Sequence, residues 1–120
     1  MTVTAAQLEE ARRSFAQLRC LAGSTPDPEL RERLHQTAAR LLDAIVAPVT
    51  GQHVRPLKLT VREIDVLAVV AIGATNSEVA ERLGITTETV KGYLRTAMHK
   101  LQATNRFSAV QSARRHRFIP

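Results

Sequence analysis

Aromatic residues are scarce in this chain of 120: Phe15, Tyr93, Phe107 and Phe118 are all there are, and tryptophan is absent. A core made without them rests on aliphatic side chains, and a chain of this length buries a modest core. Cysteine occurs once, so no disulfide can close within the chain. Cys20 reads as a small core or flank residue on a helical stretch. An intersubunit bridge or redox sensor is the less favoured reading, because only Arg19 nearby would lower its pKa. His35, His53, His99 and His116 have no ligand spacing with Cys20 or with carboxylates, and no metal site is expected. No apolar run approaches a membrane span, and no basic-then-apolar leader opens the sequence. The expected setting is cytoplasmic, with no membrane partner. Long β-branched runs are missing, while alanine, leucine and arginine dominate, so the expected class is all-α. No Ser/His/Asp, Cys/His or paired-carboxylate spacing and no phosphate loop supports catalysis, so no cofactor is expected and an enzyme is the weakest reading.

Acidic residues also run out. After Glu88 there are none, against seven basic residues: Lys91, Arg95, Lys100, Arg106, Arg114, Arg115 and Arg117. The net charge of +6 is therefore unevenly spread. Met1–Leu57 holds seven Lys/Arg against six Asp/Glu, whereas Lys58–Pro120 holds ten against five. A solvated surface normally mixes signs, and a tail of one sign points to a polyanionic partner.

Local signals divide the chain. Thr4 and Gln7 form a capping box that opens a first helix. Leu8, Ala11, Phe15, Leu18 and Ala22 then recur at steps of three and four, a narrow seam. Thr25-Pro-Asp-Pro is a turn, with Asp27 placed to cap a second helix and Pro28 at its first position. The stripe of that helix is Leu30, Leu34, Thr37 or Ala38, Leu41, Leu42 and Ile45, and Pro48 stops it. The pair should form an antiparallel hairpin over residues 1–47. Such a hairpin buries too little to stand alone. Its seam must meet either the C-terminal half or a second copy, and a second copy, giving a four-helix dimer, is the favoured expectation. Residues 48–58, with prolines and a glycine, read as a linker.

Thr60 and Glu63 form a further capping box, opening a helix apolar over most of its girth: Ile64, Val66, Leu67, Val69, Val70 and Ile72. Thr75 with Glu78 opens the next, whose apolar face is Val79, Ala80 and Leu83. Gly84 follows, where a left-handed residue is needed, and Thr86 can cap a longer helix, 86–102. Val90, Leu94, Ala97 and Leu101 face inward there, while Glu88, Lys91, Gly92, Arg95 and His99 face outward. Asn105 can cap a last helix bearing Phe107, Val110 and Ala113, closed by Arg114, Arg115, His116 and Arg117, with Phe118 and Ile119 folding back on the core. A capped helix, a glycine turn and a longer helix with basic residues one turn apart suggest a helix-turn-helix, although such pairs are often only structural.

The residues Leu59-Thr60-x-Arg62-Glu63-x-Asp65-Val66-Leu67 resemble the opening of the LuxR-type (GerE-like) domain. The resemblance continues through Gly73-x-Thr75-Asn76-x-Glu78-Val79-Ala80-x-x-Leu83-Gly84-Ile85, then Thr89-Val90-Lys91-x-x-Leu94. It extends through Lys100-Leu101-x-Ala103-x-Asn105-Arg106 to Ala109-Val110, and so covers about half the chain without an insertion. It implies a four-helix domain over 59–120 in a dimeric bacterial transcription regulator acting at the nucleoid on double-stranded DNA. By resemblance, helix 86–102 enters the major groove, with Lys91, Gly92 and Arg95 at the base-contact positions. Thr75, Asn76, Ser77, Thr86, Thr89, Tyr93, Lys100 and Arg106 are the candidate phosphate contacts, Tyr93 standing where the family usually has histidine. The last helix carries a dimer contact in many members, which places Val110, Ala113 and Arg114 near the two-fold. The hairpin adds Leu8, Phe15, Leu18, Leu34 and Leu41 as candidate dimer residues. Nothing in residues 1–58 resembles the receiver or acyl-lactone domains of the family, so the hairpin is expected to dimerise and could also receive a protein partner. Two other readings stand beside this one. The segment 89–101 is also similar to the promoter-reading helix-turn-helix of sigma factors, and the whole could be an interaction module that binds DNA weakly.

Overall fold

The computed structural model describes residues 3–45 and 57–120. Six helices, and no strands among the described residues, follow in order: α1 Ala5–Ser24, α2 Pro28–Ile45, α3 Val61–Val70, α4 Asn76–Leu83, α5 Thr87–Lys100 and α6 Arg106–Arg115. Most of the expected linker, 48–56, and the Pro48 stop lie outside the described residues.

Each helix starts where its local chemistry directs. Thr4, Thr60 and Thr75 each accept from the backbone N–H three residues on, and Gln7, Glu63 and Glu78 return a bond to the cap N–H. Asp27 Oδ1 accepts from Glu29 N–H at 3.0 Å ahead of α2. Thr86 caps α5, and Asn105 makes a fourth reciprocal box with Ser108. Gly84, at φ 67°, takes the left-handed conformation that lets α4 end and α5 start almost at once.

Helix α3 is the core helix. Val66, Leu67, Ala68, Val69 and Val70 are all buried, and α3 packs against α1, α4, α5 and α6. Val79, Ala80 and Leu83 of α4, Val90, Leu94 and Ala97 of α5, and Ala109, Val110 and Ala113 of α6 complete the same core. Ile119 folds back into it, 1% exposed.

The hairpin does not stand apart. Phe15 and Ala16 of α1 belong to the same continuous core, and α1 rests on α3 and α4 as well as on α2. Of the two surfaces the seam was expected to meet, a second copy or the C-terminal half, the chain supplies the second at Phe15, which is 2% exposed. Polar bonds reinforce the docking. Arg19 Nε bonds the buried Asp65 carboxylate and its Nη2 donates to Val61 O at 3.1 Å. Arg62 bonds the other Asp65 oxygen at 3.5 Å and Gly23 O at 3.4 Å. Asp65 thus has a cation from each side, the arrangement a buried carboxylate needs. Helix α2 packs only on α1 among the helices, and Ala38 is its one buried residue.

Candidate nucleic-acid interface

Helix α5 turns one face inward through Val90, Leu94 and Ala97 and leaves the opposite face free. On that face Lys91 and Arg95 are both exposed, one helical turn or about 6 Å apart along the axis. Lys91 Nζ meets Glu88 Oε1 at 3.2 Å, an exposed pair of little energetic worth that a stronger anion can replace. Among the described residues no ion pair or hydrogen bond holds the Arg95 guanidinium, so its whole donor fork is available. Gly92 lies between them, and a Cβ there would meet nothing within 4 Å. The surface at this point is therefore flat, not packed against a neighbour. Neither α1 nor α2 packs on α5, so the docked hairpin leaves this face open.

The residues expected at phosphates divide into two groups. Thr75, Ser77, Thr86 and Thr89 are exposed at the N-termini of α4 and α5, where unpaired backbone N–H groups and the helix dipole favour an anion. Three of these hydroxyls already have partners: Thr75 bonds Glu78 Oε1 at 3.0 Å, and Thr86 and Thr89 bond each other at 2.8 Å. Tyr93 is half-buried against the core, leaving its hydroxyl end as the polar part.

Lys100 and Arg106 are tied into the scaffold. Lys100 Nζ donates to Glu63 Oε1 at 2.7 Å, joining the end of α5 to the cap of α3. Burial would raise the Glu63 carboxyl, but the Lys100 ammonium and the Thr60 N–H and hydroxyl outweigh it and hold it below the usual carboxylate range. Arg106 donates to Asn76 Oδ1 at 2.9 Å and to Ala74 O at 3.0 Å, fixing the entry of α4. Both cations shape the two helix starts, whatever else they touch.

Of the residues expected at a dimer interface, Phe15, Val110 and Ala113 lie in the core of the single chain. Leu8, Leu18, Leu34 and Leu41 are half-buried. Arg114 Nε donates to Pro120 O at 3.1 Å, and Arg12 Nε reaches the same oxygen at 3.2 Å. Although Phe107 is 71% exposed on α6, the most of any large apolar side chain among the described residues, sequence reasoning grouped it with Val110 and Ala113 and left it out of the candidate dimer residues. It also missed Arg19 and Asp65; an acidic residue inside an otherwise apolar stretch was the available sign.

Cys20 is half-buried, and burial followed by the Asp65 charge pushes its thiol pKa up against the opposing pull of Arg82 and Arg62. A protonated thiol is a poor nucleophile, which argues against the sensor reading. Among the described residues no cluster of His, Cys, Asp or Glu could hold a metal ion, and no helix is long and apolar enough to cross a membrane.

A short capped helix, a left-handed glycine turn and a second helix with a free basic face define a helix-turn-helix domain. Residues 57–113 match the family described as bacterial regulatory proteins, luxR family, and this C-terminal part of the chain is a helix-turn-helix domain of that family. Among curated relatives, the HTH-type transcriptional activator RamA of Corynebacterium glutamicum is 45% identical over 115 residues, 96% of this chain and 39% of that protein. The transcriptional regulatory protein LiaR of Bacillus subtilis is 31% identical over 99 residues, 82% of this chain and 44% of that protein. The quorum sensing-dependent transcriptional regulator VjbR of Brucella abortus is 49% identical over 55 residues, 46% of this chain and 21% of that protein. The chain thus spans less than half the length of these relatives. The similarity to RamA and LiaR extends beyond the luxR-family domain, since each alignment is longer than the 57 residues that the domain covers.

Proposed function

We propose that this chain is a sequence-specific, double-stranded DNA-binding transcription regulator that reads the major groove with α5 and acts as a dimer. The observation that carries this reading is the free face of α5: Lys91 and Arg95 exposed one turn apart, with Gly92 flat between them. Arg95 has the fork that matches guanine O6 and N7, and Lys91 can reach a neighbouring base. The threonine-rich starts of α4 and α5 take the flanking phosphates and set the register. The luxR-family domain and the transcriptional names of the relatives support the same reading.

The dimer contact best supported is α6. Phe107 is exposed beside a shallow cavity lined in part by Val70, Gly73 and Val110, and two such surfaces can exchange their phenyl rings about a two-fold axis. The hairpin serves instead as a brace for α3 and α4.

Selection of bound duplexes from a random pool, at low and near-physiological salt, tests the proposal. Enrichment of an inverted repeat that persists at higher salt is the expected result. Binding that enriches nothing and disappears with salt would reduce the basic surface to a nonspecific electrostatic one.

A further inference from the structure

An open surface cavity lies away from α5 and α6, where the hairpin meets the helix-turn-helix. Its volume is about 620 Å³, and it is lined by the exposed Arg13, Gln17, Leu21 and Ser24 and the half-buried Cys20 of α1, by Ile72 after α3, and by the exposed Arg82 at the end of α4. That volume suits a small organic molecule. Its lining is divided in character: Leu21, Ile72 and the neutral Cys20 thiol supply apolar surface, and two arginines supply charge.

Among the described residues no hydrogen bond or ion pair engages the guanidinium of Arg13 or of Arg82, and no carboxylate lines the cavity. The nearest buried carboxylate, Asp65, is already held by Arg19 and Arg62. Ser24 donates its hydroxyl to Cys20 O at 3.0 Å, so the hydrogen-bond donors left for a ligand are the two guanidinium forks and the Gln17 amide. Two uncommitted guanidinium groups beside an apolar surface favour an anionic head attached to an apolar body.

We infer that the cavity between α1 and α4 is a binding site for a small organic anion, a carboxylate or sulfonate with an apolar portion. Arg13 and Arg82 hold the charged head, and Leu21 and Ile72 cover the body. Because the lining comes from both the hairpin and the helix-turn-helix, an occupant bridges them and favours the docked arrangement. The site is separate from the DNA-reading face, so this inference does not depend on that proposal.

The probe is 8-anilinonaphthalene-1-sulfonate, an anion with an apolar body whose fluorescence rises on burial, titrated into the full chain. The expected result is saturable binding to one site. Arg13→Ala and Arg82→Ala should each weaken it about tenfold, the loss expected for one charge-assisted hydrogen bond. Arg33→Ala, an exposed arginine on α2, should leave it unchanged. Hexanoate should displace the probe where hexanol at the same concentration does not. Among the described residues neither substituted arginine makes a hydrogen bond or ion pair, so the variants should keep the parent melting temperature. The inference is overturned if no saturable binding occurs, if the three arginine variants behave alike, or if hexanol competes as well as hexanoate. The last outcome would mark an apolar groove, suited to a partner helix and not to an anion.

Discussion

At the residue scale, Arg95 and Gly92 carry the sharpest expectations. Arg95→Ala removes a fork that supports no fold contact, so melting should be unchanged while binding to the preferred duplex weakens by about 1–3 kcal/mol. Preference should also relax at one base pair; an unaltered preference in a duplex-variant competition would take Arg95 out of base readout. Gly92→Ala separates stability from function. With open space around the new Cβ, the helix should gain about 1 kcal/mol in urea unfolding. Duplex affinity should fall, because the methyl group holds the helix away from the groove. Equal or tighter binding would mean that the glycine is merely tolerated. That these residues lie on an outward face was legible from the sequence, since the inward positions Val90, Leu94 and Ala97 fix the rotation of the helix. That Lys100 is bound to Glu63, while Arg95 has no such partner among the described residues, was not, because Lys100 and Glu63 are 37 positions apart.

At the element scale, the capped helix starts connect sequence to structure most directly. Each box links residues three apart, so Thr4, Thr60, Thr75 and Asn105 act within one turn and need no distant partner. The same cap can nevertheless acquire a tertiary role, as Glu63 does with Lys100. Its carboxyl titrates lower in the folded chain than its ordinary value of 4.5. Its contribution to stability is therefore fully present above that value and is lost as pH falls through the lower folded value. Lys100→Met should lower stability at neutral pH and flatten this acid limb in unfolding measured from pH 3 to 7; an unchanged slope would show that Thr60 alone sets the shift. Between elements, Asp65 is the critical tie. Asp65→Asn leaves Arg19 largely buried without its counter-charge and should cost about 3 kcal/mol in urea unfolding. A cost near zero would mean that solvent, not Asp65, stabilises Arg19.

At the scale of the whole molecule, the hairpin and the luxR-family domain share one core through Phe15 and Ala16. They should therefore unfold together. This sharing also redirects the search for a dimer surface, because residues already buried within one chain have no apolar area left to bury against another. Phe107 does have such area. Phe107→Glu should convert dimers to monomers in sedimentation with little change in melting, and should weaken binding to a two-fold-related duplex more than to a half-site. A persistent dimer would return attention to the exposed side of the hairpin, where Leu21 and Leu30 lie.

The sequence by itself determined the helices, their starts, the left-handed turn at Gly84 and the outward basic face of α5. All of these follow from interactions within a few residues and from helical periodicity. The tertiary structure alone decided that the α1 seam meets α3 and α4, that Asp65 is held between Arg19 and Arg62, and that a cavity opens beside Arg13 and Arg82. A periodic apolar stripe states that a face must be buried but names no partner. The choice among partners depends on long-range packing and charge pairing, as when Arg19 meets a carboxylate 46 positions away.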